Sequence, residues 1–489
     1  TSAVFDIASL AKQFTGFAIA KLELEEKLDP NDPLNRYFPE LSTLGEDMTL
    51  GHLVHHSSGL RDIGELFDIG HFGSDLTAER TLSIMSMQRE LNFVPGSESD
   101  YSNTNYVILA KIVEQISNQS FSSWAEENIF SPMDMSHSFA NDNSKVIIPN
   151  RAVAYYQREE GYSFDQNNGM SLIGSSAIYS SSTDLGKWAV SLLSNKAYQI
   201  VFDRMQKKGR LNDGSLINYG YGIGITEFRG KNMFVHTGST PAGFRTSIAL
   251  IPKDKKAIIL LSNLGDIDLT RQFQDPILEI LFGKERLPEE LASAPEKVME
   301  AVELSDNQLD KFVGSYLFNQ DRTVQIRKGL NGLTVQPEEA PEMPLVPLAE
   351  NKLDFQAFKS VLKFSEESHG KFQKAQIFID DNTAGKLERV ELIKEEEFNS
   401  ASYLGTYFCE ELDLLWTIKS NDENLFVQDT KKGLIEFKPL TANIFRDQMN
   451  QDLRIEFELT RENRVVGFRL NRGSRMRNLL FHKVALKAD

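Results

Sequence analysis

Residues 7–15 read IASLAKQFT, and this stretch places a serine three positions before a lysine. Ser9 and Lys12 are at positions i and i+3, which share one face if the segment is helical. Serine becomes a useful nucleophile only when a neighbouring group accepts its proton, and an amine can do so. The pattern therefore indicates a candidate nucleophile and base. Taken alone it also fits an ordinary pair on a helix surface, and residues 360–363 (SVLK) match it equally well.

A second motif, Tyr101-Ser102-Asn103, follows Pro95-Gly96 and precedes a predicted helix, so we expect it to lie on a loop. A phenol has a pKa near ~10 and acts as a base only where a cation stabilises its anion. Lys12 could supply that cation. The structural alternative is a tyrosine that simply packs the loop.

A third motif, residues 236–239 (HTGS), lies in a segment whose alternating apolar residues predict a β-strand. Gly238 lacks a side chain at a point where a substrate backbone could approach. We expect His236 to take part in catalysis, with a hydrogen-bonded core histidine as the structural alternative.

Composition excludes several classes of function. The 489 residues include 53 Lys+Arg and 70 Asp+Glu, a net charge of −17, and a phosphate backbone would repel this charge. We therefore expect no binding of nucleic acid. The single cysteine, Cys409, excludes an intrachain disulfide and a cysteine-rich zinc site. Histidines 52, 55 and 56 have a metal-like spacing without an H-E-x-x-H motif, so we predict no metal and no cofactor. No apolar run approaches the ~18 residues of a membrane span.

Residues 1–283 mix helical and strand periodicities, which indicates an α/β (α+β) domain. Apolar spacing predicts helices over 5–24, 51–56 and 105–116, and strands over 233–249 and 257–261.

The chain after residue 283 changes in character. Residues 284–304 are charged, contain two prolines and are predicted to form a linker with a short helix. The sequence FVGSY at 312–316 then recurs as YLGTY at 403–407. This repeat, with a period of about 90 residues, predicts two tandem all-β barrel modules, 305–396 and 397–489. One larger β domain is the alternative.

The three motifs, in this order, resemble those of the serine beta-lactamase-like hydrolases: class C beta-lactamases, DD-peptidases and their esterase and D-aminopeptidase relatives. Further stretches also resemble that family, namely residues 50–60, 95–96, 129–135, 219–224 and 261–263. The resemblance covers nearly all of residues 1–283 and implies an antiparallel sheet flanked by helices. The two trailing modules resemble the lipocalin-like domains that follow this catalytic domain in some members.

The resemblance implies a role for each motif residue. Ser9 would attack the acyl carbon, and Lys12 and Tyr101 would together act as the general base. Water would later hydrolyse the acyl-enzyme. The oxyanion hole would consist of the backbone N–H groups of Ser9 and Ser239. The residues expected to bind substrate are Asn103, Thr237, Gly238 and Ser239.

The chain departs from the family at the third motif, because His236 stands in place of the lysine of the usual Lys-Thr-Gly. Histidine is mostly neutral at pH 7 and would hold a substrate carboxylate weakly, so we expect weak beta-lactamase and carboxypeptidase activity. Histidine here also resembles D-aminopeptidase members. We therefore rank a peptidase or D-amino-acid amidase ahead of an esterase, and an esterase ahead of a beta-lactamase. The rival is a non-catalytic scaffold or a protein that binds penicillin or peptidoglycan-like ligands.

Family members also have a longer stretch before the nucleophile, which supplies strands of the sheet. We therefore expect the natural protein to begin before Thr1. The resemblance implies a small-molecule or short-peptide substrate, allows a homo-oligomer, and suggests a bacterial periplasmic or extracellular location with a signal peptide outside this chain.

Overall fold

The structure, a computed structural model, divides into two compact units, Thr1–Glu289 and Glu290–Asp489. The first unit combines helices with short, mostly antiparallel sheets, and the second contains two closed barrels. The residues described are 3–70, 72–73, 75–143, 146–164, 170–283, 301–319, 322–329, 332–338, 340–379, 382–393, 398–421, 424–429, 433–449 and 452–484.

The described residues of the first unit include a set of α-helices. They are α1 Ala11–Leu24, α2 Leu50–Val54, α3 Ile63–Gly70, α4 Ala78–Met87, α5 Asn103–Ser117, α6 Phe121–Ala125, α7 Ser182–Ser194, α8 Lys196–Met205 and α9 Asp275–Phe282. The helix predicted over 105–116 lies within α5, which ends where Asn118 turns into the left-handed region (φ 56°). The helix predicted over 51–56 corresponds to α2, which Thr49 caps by accepting the backbone N–H of His52.

The strands of the first unit form one larger sheet and several small ones. They are β1 Phe5–Asp6, β2 Leu76–Thr77, β3 Phe139–Ala140, β4 Tyr156–Arg158, β5 Gly161–Ser163, β6 Met170–Ser171, β7 Ile178–Ser180, β8 Gly209–Arg210, β9 Leu216–Ile217, β10 Gly224–Phe228, β11 Lys231–Ser239, β12 Arg245–Ile251 and β13 Lys256–Ser262. Strands β10 to β13 pair antiparallel in sequence order. The strand predicted over 233–249 is two strands, because Pro241 and Gly243 (φ 108°) turn the chain between β11 and β12.

The beginning of the first predicted helix is also wrong. Residues 5–6 form β1, which pairs with β7 instead of starting a helix at residue 5. Ala8 then adopts a left-handed conformation (φ 50°), and a single 3₁₀ turn, Ala8–Leu10, leads into α1. A right-handed helix cannot pass through a left-handed alanine, so no helix extends from residue 5 through Ala8 into α1.

Helix α1 is buried along most of its length and touches the loop at residues 219–222. A Cβ on Gly16 would overlap the carbonyl of Tyr221, and a Cβ on Gly222 (φ 76°) would overlap the carbonyl of Lys12. The two backbones therefore meet directly, which larger residues would prevent. This contact fixes the loop beside the helix that carries Lys12.

The second unit opens with α10 Asp306–Asp310 and continues into two closed antiparallel barrels. The first barrel comprises β14 Gly314–Phe318, β15 Arg322–Gly329, β16 Gly332–Pro337, β17 Met343–Ala349, β18 Lys352–Phe355, β19 Ser360–Ser368, β20 Lys371–Ile379 and β21 Asn382–Val390. The second comprises β22 Gly405–Cys409, β23 Leu414–Ser420, β24 Leu425–Asp429, β25 Gly433–Pro439, β26 Ile444–Asp447, β27 Leu453–Leu459, β28 Val465–Arg472 and β29 Met476–Val484. The prediction of two barrels is confirmed, and one larger β domain is wrong. The exact module boundaries stay predictions, and residues 284–300 of the predicted linker lie outside the described residues.

The sequence repeat has a structural counterpart in the barrels. The Tyr316 hydroxyl donates to the carbonyl of Phe312 at 2.7 Å, and the Tyr407 hydroxyl donates to the carbonyl of Tyr403 at 2.6 Å. Each tyrosine is fully buried, and its hydrogen bond holds the segment that leads into the first strand of its barrel.

None of the helices in the described ranges combines the length and apolar composition that crossing a bilayer requires.

Candidate active site

Ser9 and Lys12 come together at the beginning of α1. Ser9 is the middle residue of the 3₁₀ turn Ala8–Leu10, and Lys12 follows in the first turn of α1. Lys12 is fully buried and its Nζ donates to Ser9 Oγ at 3.3 Å. The spacing i, i+3 thus brings amine and hydroxyl together as the sequence predicted. The second match, residues 360–363, lies on β19, where Ser360 is buried and Lys363 is exposed.

Two oxygens from distant parts of the chain hold the lysine amine. Lys12 Nζ donates to Asn103 Oδ1 at 2.7 Å and to the Ser175 carbonyl at 3.0 Å. The backbone N–H of Asn103 in turn donates to Asp62 Oδ2 at 2.6 Å, and Asp62 is buried. The amine therefore has a fixed position, which a long lysine side chain would not have in solvent.

Tyr101 lies against the same amine. Lys12 Nζ is 4.7 Å from the centre of the Tyr101 ring, a distance at which a cation is attracted to the aromatic face. The His56 ring packs at 4.5 Å from Tyr101, and His56 Nδ1 accepts the backbone N–H of Ser102 at 3.2 Å. His56 thus anchors the loop that carries the second motif.

The other two histidines of the 52–56 segment serve the local backbone. His52 Nδ1 accepts the N–H of Thr49 at 3.1 Å, and His55 Nδ1 lies 2.9 Å from the Tyr219 carbonyl. Burial lowers the pKa of His55 to about 4, so its ring is neutral at pH 7.

His236 uses both ring nitrogens within the protein. Its Nδ1 lies 2.7 Å from the Thr237 carbonyl, which can only accept, so Nδ1 carries the proton. Nε2 then accepts from the Tyr219 hydroxyl at 2.9 Å. Burial and the positive charge of Lys12 lower the pKa of His236 to about 3, despite the opposing effect of its bond to Thr237. The side chain at the third motif is therefore neutral at pH 7.

The remaining third-motif residues alternate along β11. Thr237 and Ser239 are exposed, whereas Gly238 is buried. A Cβ on Gly238 would lie 2.7 Å from the Ile7 carbonyl oxygen and 3.0 Å from Ala8 Cβ. The missing side chain therefore makes room for the turn before Ser9, and the approach of a substrate backbone at Gly238 stays a prediction. Gly238 places β11 directly against the turn that carries Ser9.

Comparison with known families accounts for this arrangement. Residues 1–274 match the family model described as Beta-lactamase. The chain belongs to the beta-lactamase family. This is a family of hydrolases, and the antiparallel sheet with flanking helices is the fold that the sequence resemblance predicted.

Relatives of this beta-lactamase family chain include penicillin-binding proteins. Penicillin-binding protein 4* of Bacillus subtilis (strain 168) is 26% identical over 395 residues, 75% of this chain and 83% of that protein. Protein flp of Staphylococcus aureus (strain MRSA252) is 27% identical over 270 residues, which is 53% of this chain and only 53% of Flp. The solved structure of the octameric penicillin-binding protein homologue from Pyrococcus abyssi is 23% identical with a TM-score of 0.50, and the match covers 79% of this chain and 88% of that one. At this identity, the similarity to the Pyrococcus abyssi structure supports a shared fold and nothing more.

Sequence reasoning missed three contributors to the site. Ser175 contributes its main-chain carbonyl, and none of the three motifs includes this residue. The adjacent Gly174 (φ 90°), where a Cβ would overlap the carbonyl of Tyr106, is the signal that could have identified a fixed turn. Tyr219 lies in a stretch that resembles the family, but its bond to His236 is a tertiary contact. Asp6, whose carboxylate accepts the N–H of Ala8 next to Ser9, lies in a segment that was predicted to be helical.

Proposed function

We propose that this beta-lactamase family chain is a serine hydrolase that forms an acyl-enzyme on Ser9 and cleaves amide or ester bonds. One observation carries the proposal: the buried Lys12 amine lies 3.3 Å from Ser9 Oγ, held by Asn103 and the Ser175 carbonyl. Burying an ammonium is costly, so a lysine whose amine is held against a serine hydroxyl indicates chemistry more than stability.

The mechanism follows from the positions of these groups. In the resting site the Lys12 ammonium donates to Ser9 Oγ. For the attack, Tyr101 acts as a phenolate that this ammonium stabilises and accepts the proton of Ser9 Oγ, so the two residues share the base role. Ser9 Oγ forms a bond to the acyl carbon, and the electron pair of its C=O moves onto oxygen near the N–H groups of Ser9 and Ser239. The proton held by the pair then passes to the leaving amine or alcohol. Water, deprotonated by the same pair, releases the acyl group.

The neutral His236 supports a particular substrate class. A beta-lactam or a peptide ending in D-Ala-D-Ala carries a carboxylate, which a neutral imidazole with both nitrogens occupied cannot pair with. Amides of D-amino acids, short peptides with a free amino end and simple esters need no such cation. We therefore rank peptidase or D-amino-acid amidase activity first, esterase activity second and beta-lactamase activity last.

Intact-mass analysis after reaction with a fluorophosphonate tests the proposal. We expect one adduct on the native chain, none on Ser9→Ala, and an unchanged adduct on Ser360→Ala, the matched control in the second SxxK sequence. An adduct that persists in Ser9→Ala would disprove the assignment of the nucleophile. The absence of any adduct on a folded native chain would favour the non-catalytic binding protein.

Substrate preference is then measured with the same chain. We expect hydrolysis of a D-alanine p-nitroanilide and of p-nitrophenyl acetate to exceed hydrolysis of a chromogenic cephalosporin at pH 7.

The name of the Bacillus relative suggests a second candidate, capture of penicillin without turnover, which a long-lived fluorescent penicillin adduct on Ser9 would favour. The octameric Pyrococcus protein suggests a homo-oligomer, and light scattering would measure it. The inferred bacterial periplasmic or extracellular location is tested by fractionating cells of the source organism.

A further inference from the structure

Asp6 lies where strand β1 ends and the turn towards Ser9 begins. Its Oδ1 accepts the backbone N–H of Ala8 at 2.9 Å. Ala8 has a φ of 50°, a left-handed conformation that is strained for a residue with a Cβ. Such strain persists only where surrounding groups hold the backbone in place, and it concentrates at functional sites.

The turn is held from three sides. The N–H of Ile7 donates to the Ile178 carbonyl at 3.0 Å, and the Thr246 hydroxyl donates to the Ile7 carbonyl at 2.9 Å. These two bonds fix the peptide groups before Ala8, while the Asp6 carboxylate fixes the N–H of Ala8 itself. The residue that follows is Ser9.

The carboxylate has two further neighbours across the small sheet. Tyr179 lies opposite Asp6 in the β1–β7 register, and both Tyr179 and the positive charge of Arg151 act on its carboxylate. The Arg151 guanidinium lies 5.3 Å from the Tyr179 ring centre. These are the titratable and charged groups of the described residues that act on Asp6, and none of them is a group of the proposed acyl transfer.

We propose that Asp6 is a positioning residue for Ser9: its carboxylate holds Ala8 in the left-handed conformation and thereby sets Ser9 Oγ relative to Lys12 Nζ. The inference rests on the function proposed above. Asp6 does not touch the reacting atoms, so its effect passes through the backbone of Ala8.

The inference predicts a particular pH dependence. Burial raises the pKa of Asp6 to about 6, although the Ala8 N–H, Arg151 and Tyr179 each oppose the rise. Above this pH the carboxylate is ionised and makes a strong, charge-assisted bond to Ala8. Protonation below it weakens that bond, and the acylation rate of Ser9 should fall with an inflection near pH 6.

Two variants of Asp6 separate the acceptor from the charge. Asp6→Ala removes the acceptor, and we expect it to slow fluorophosphonate acylation of Ser9 about 10-fold at pH 8, as small displacements of reacting groups do. Asp6→Asn keeps a neutral oxygen for the Ala8 N–H, as the protonated carboxyl does. Its rate at pH 8 should therefore equal the low-pH level of the native chain, within about 3-fold of the native rate at pH 8, and it should lose the inflection near pH 6. Asp29→Ala is the matched control, because Asp29 Oδ1 accepts the N–H of Asn31 at 2.8 Å in an exposed turn. It should leave rate and pH profile unchanged.

Hydrogen exchange of the peptide spanning residues 5–14 supplies a readout that does not depend on activity. Asp6→Ala should accelerate its exchange, and Asp6→Asn should not. Native rate and native exchange in Asp6→Ala would overturn the inference, as would an Asp6→Asn variant as slow as Asp6→Ala. If the native chain forms no adduct, the proposed function fails, while unchanged exchange in Asp6→Ala would still refute the role of Asp6 on its own.

Discussion

Replacing Gly238 by alanine would place a methyl group between β11 and the turn that carries Ser9. The new Cβ would lie 2.7 Å from the Ile7 carbonyl oxygen and 3.0 Å from Ala8 Cβ. It would also overlap the Thr246 hydroxyl, which cannot rotate away without losing its 2.9 Å bond to the Ile7 carbonyl. The backbone atoms on the other side therefore have to move.

The size of the effect follows from these distances. Ordinary contact with the Ile7 oxygen requires about 0.5–0.7 Å of additional separation, which the turn or the strand must provide. Overpacking of this kind costs about 1–3 kcal/mol of unfolding free energy. A displacement of Ser9 by part of an ångström should slow its acylation about 10- to 100-fold.

Urea unfolding and the rate of fluorophosphonate acylation measure the two effects of Gly238→Ala. The matched control is Gly186→Ala on α7, where a Cβ meets nothing within 4 Å. That variant should gain about 0.5–1 kcal/mol, because alanine favours a helix over glycine, and should keep its acylation rate. Native stability and native acylation in Gly238→Ala would refute the close approach of β11 to the nucleophile turn.

Three further perturbations test other parts of the structure. Lys12→Met should slow Ser9 acylation about 10²–10⁴-fold in stopped-flow labelling without lowering the unfolding temperature, since it removes a base and a buried charge together. The unfolding free energy should fall by about 2 kcal/mol from His236 alone between pH 7 and 5, because the unfolded imidazole titrates at its ordinary pKa near 6.5 and the folded one only at about 3. Urea titrations of His236→Gln should show this loss disappear, and an unchanged pH slope would contradict it. Arg446 Nη1 donates to Glu338 Oε2 at 2.7 Å, and Arg446→Ala leaves this carboxylate without its paired guanidinium. The variant should lower the unfolding free energy of the second unit by about 1–3 kcal/mol and leave the rate of Ser9 acylation unchanged.

Features that depend on nearby residues could be predicted from the sequence. The contact between Ser9 and Lys12 requires only that residues three apart share a helix face, and the motif carries that information. The two barrels could be predicted because the repeat places a buried tyrosine at the same point of each, Tyr316 and Tyr407. The first prediction rests on a spacing of three residues, and the second on a repeat of the sequence itself.

Features that depend on tertiary contacts could not be predicted in this way. The Ser175 carbonyl holds Lys12 through an atom that every residue has, so no side-chain pattern could reveal it. Strand β1 is two residues long and is defined by its pairing with β7, whereas its apolar spacing also fits a helix. Gly238 could be recognised as special, but whether substrate or protein fills the space depends on where Ile7 lies.

The three oxygens around the Lys12 amine come from positions 3, 91 and 163 residues away in sequence. Bringing such distant segments together costs chain entropy that only the completed packing of the first unit offsets. The site therefore exists only in molecules whose long-range topology is complete, and partly folded chains should not react at Ser9. The extent of labelling at Ser9 would then measure the natively folded fraction of a preparation, which spectroscopic signals from local helices and strands cannot do.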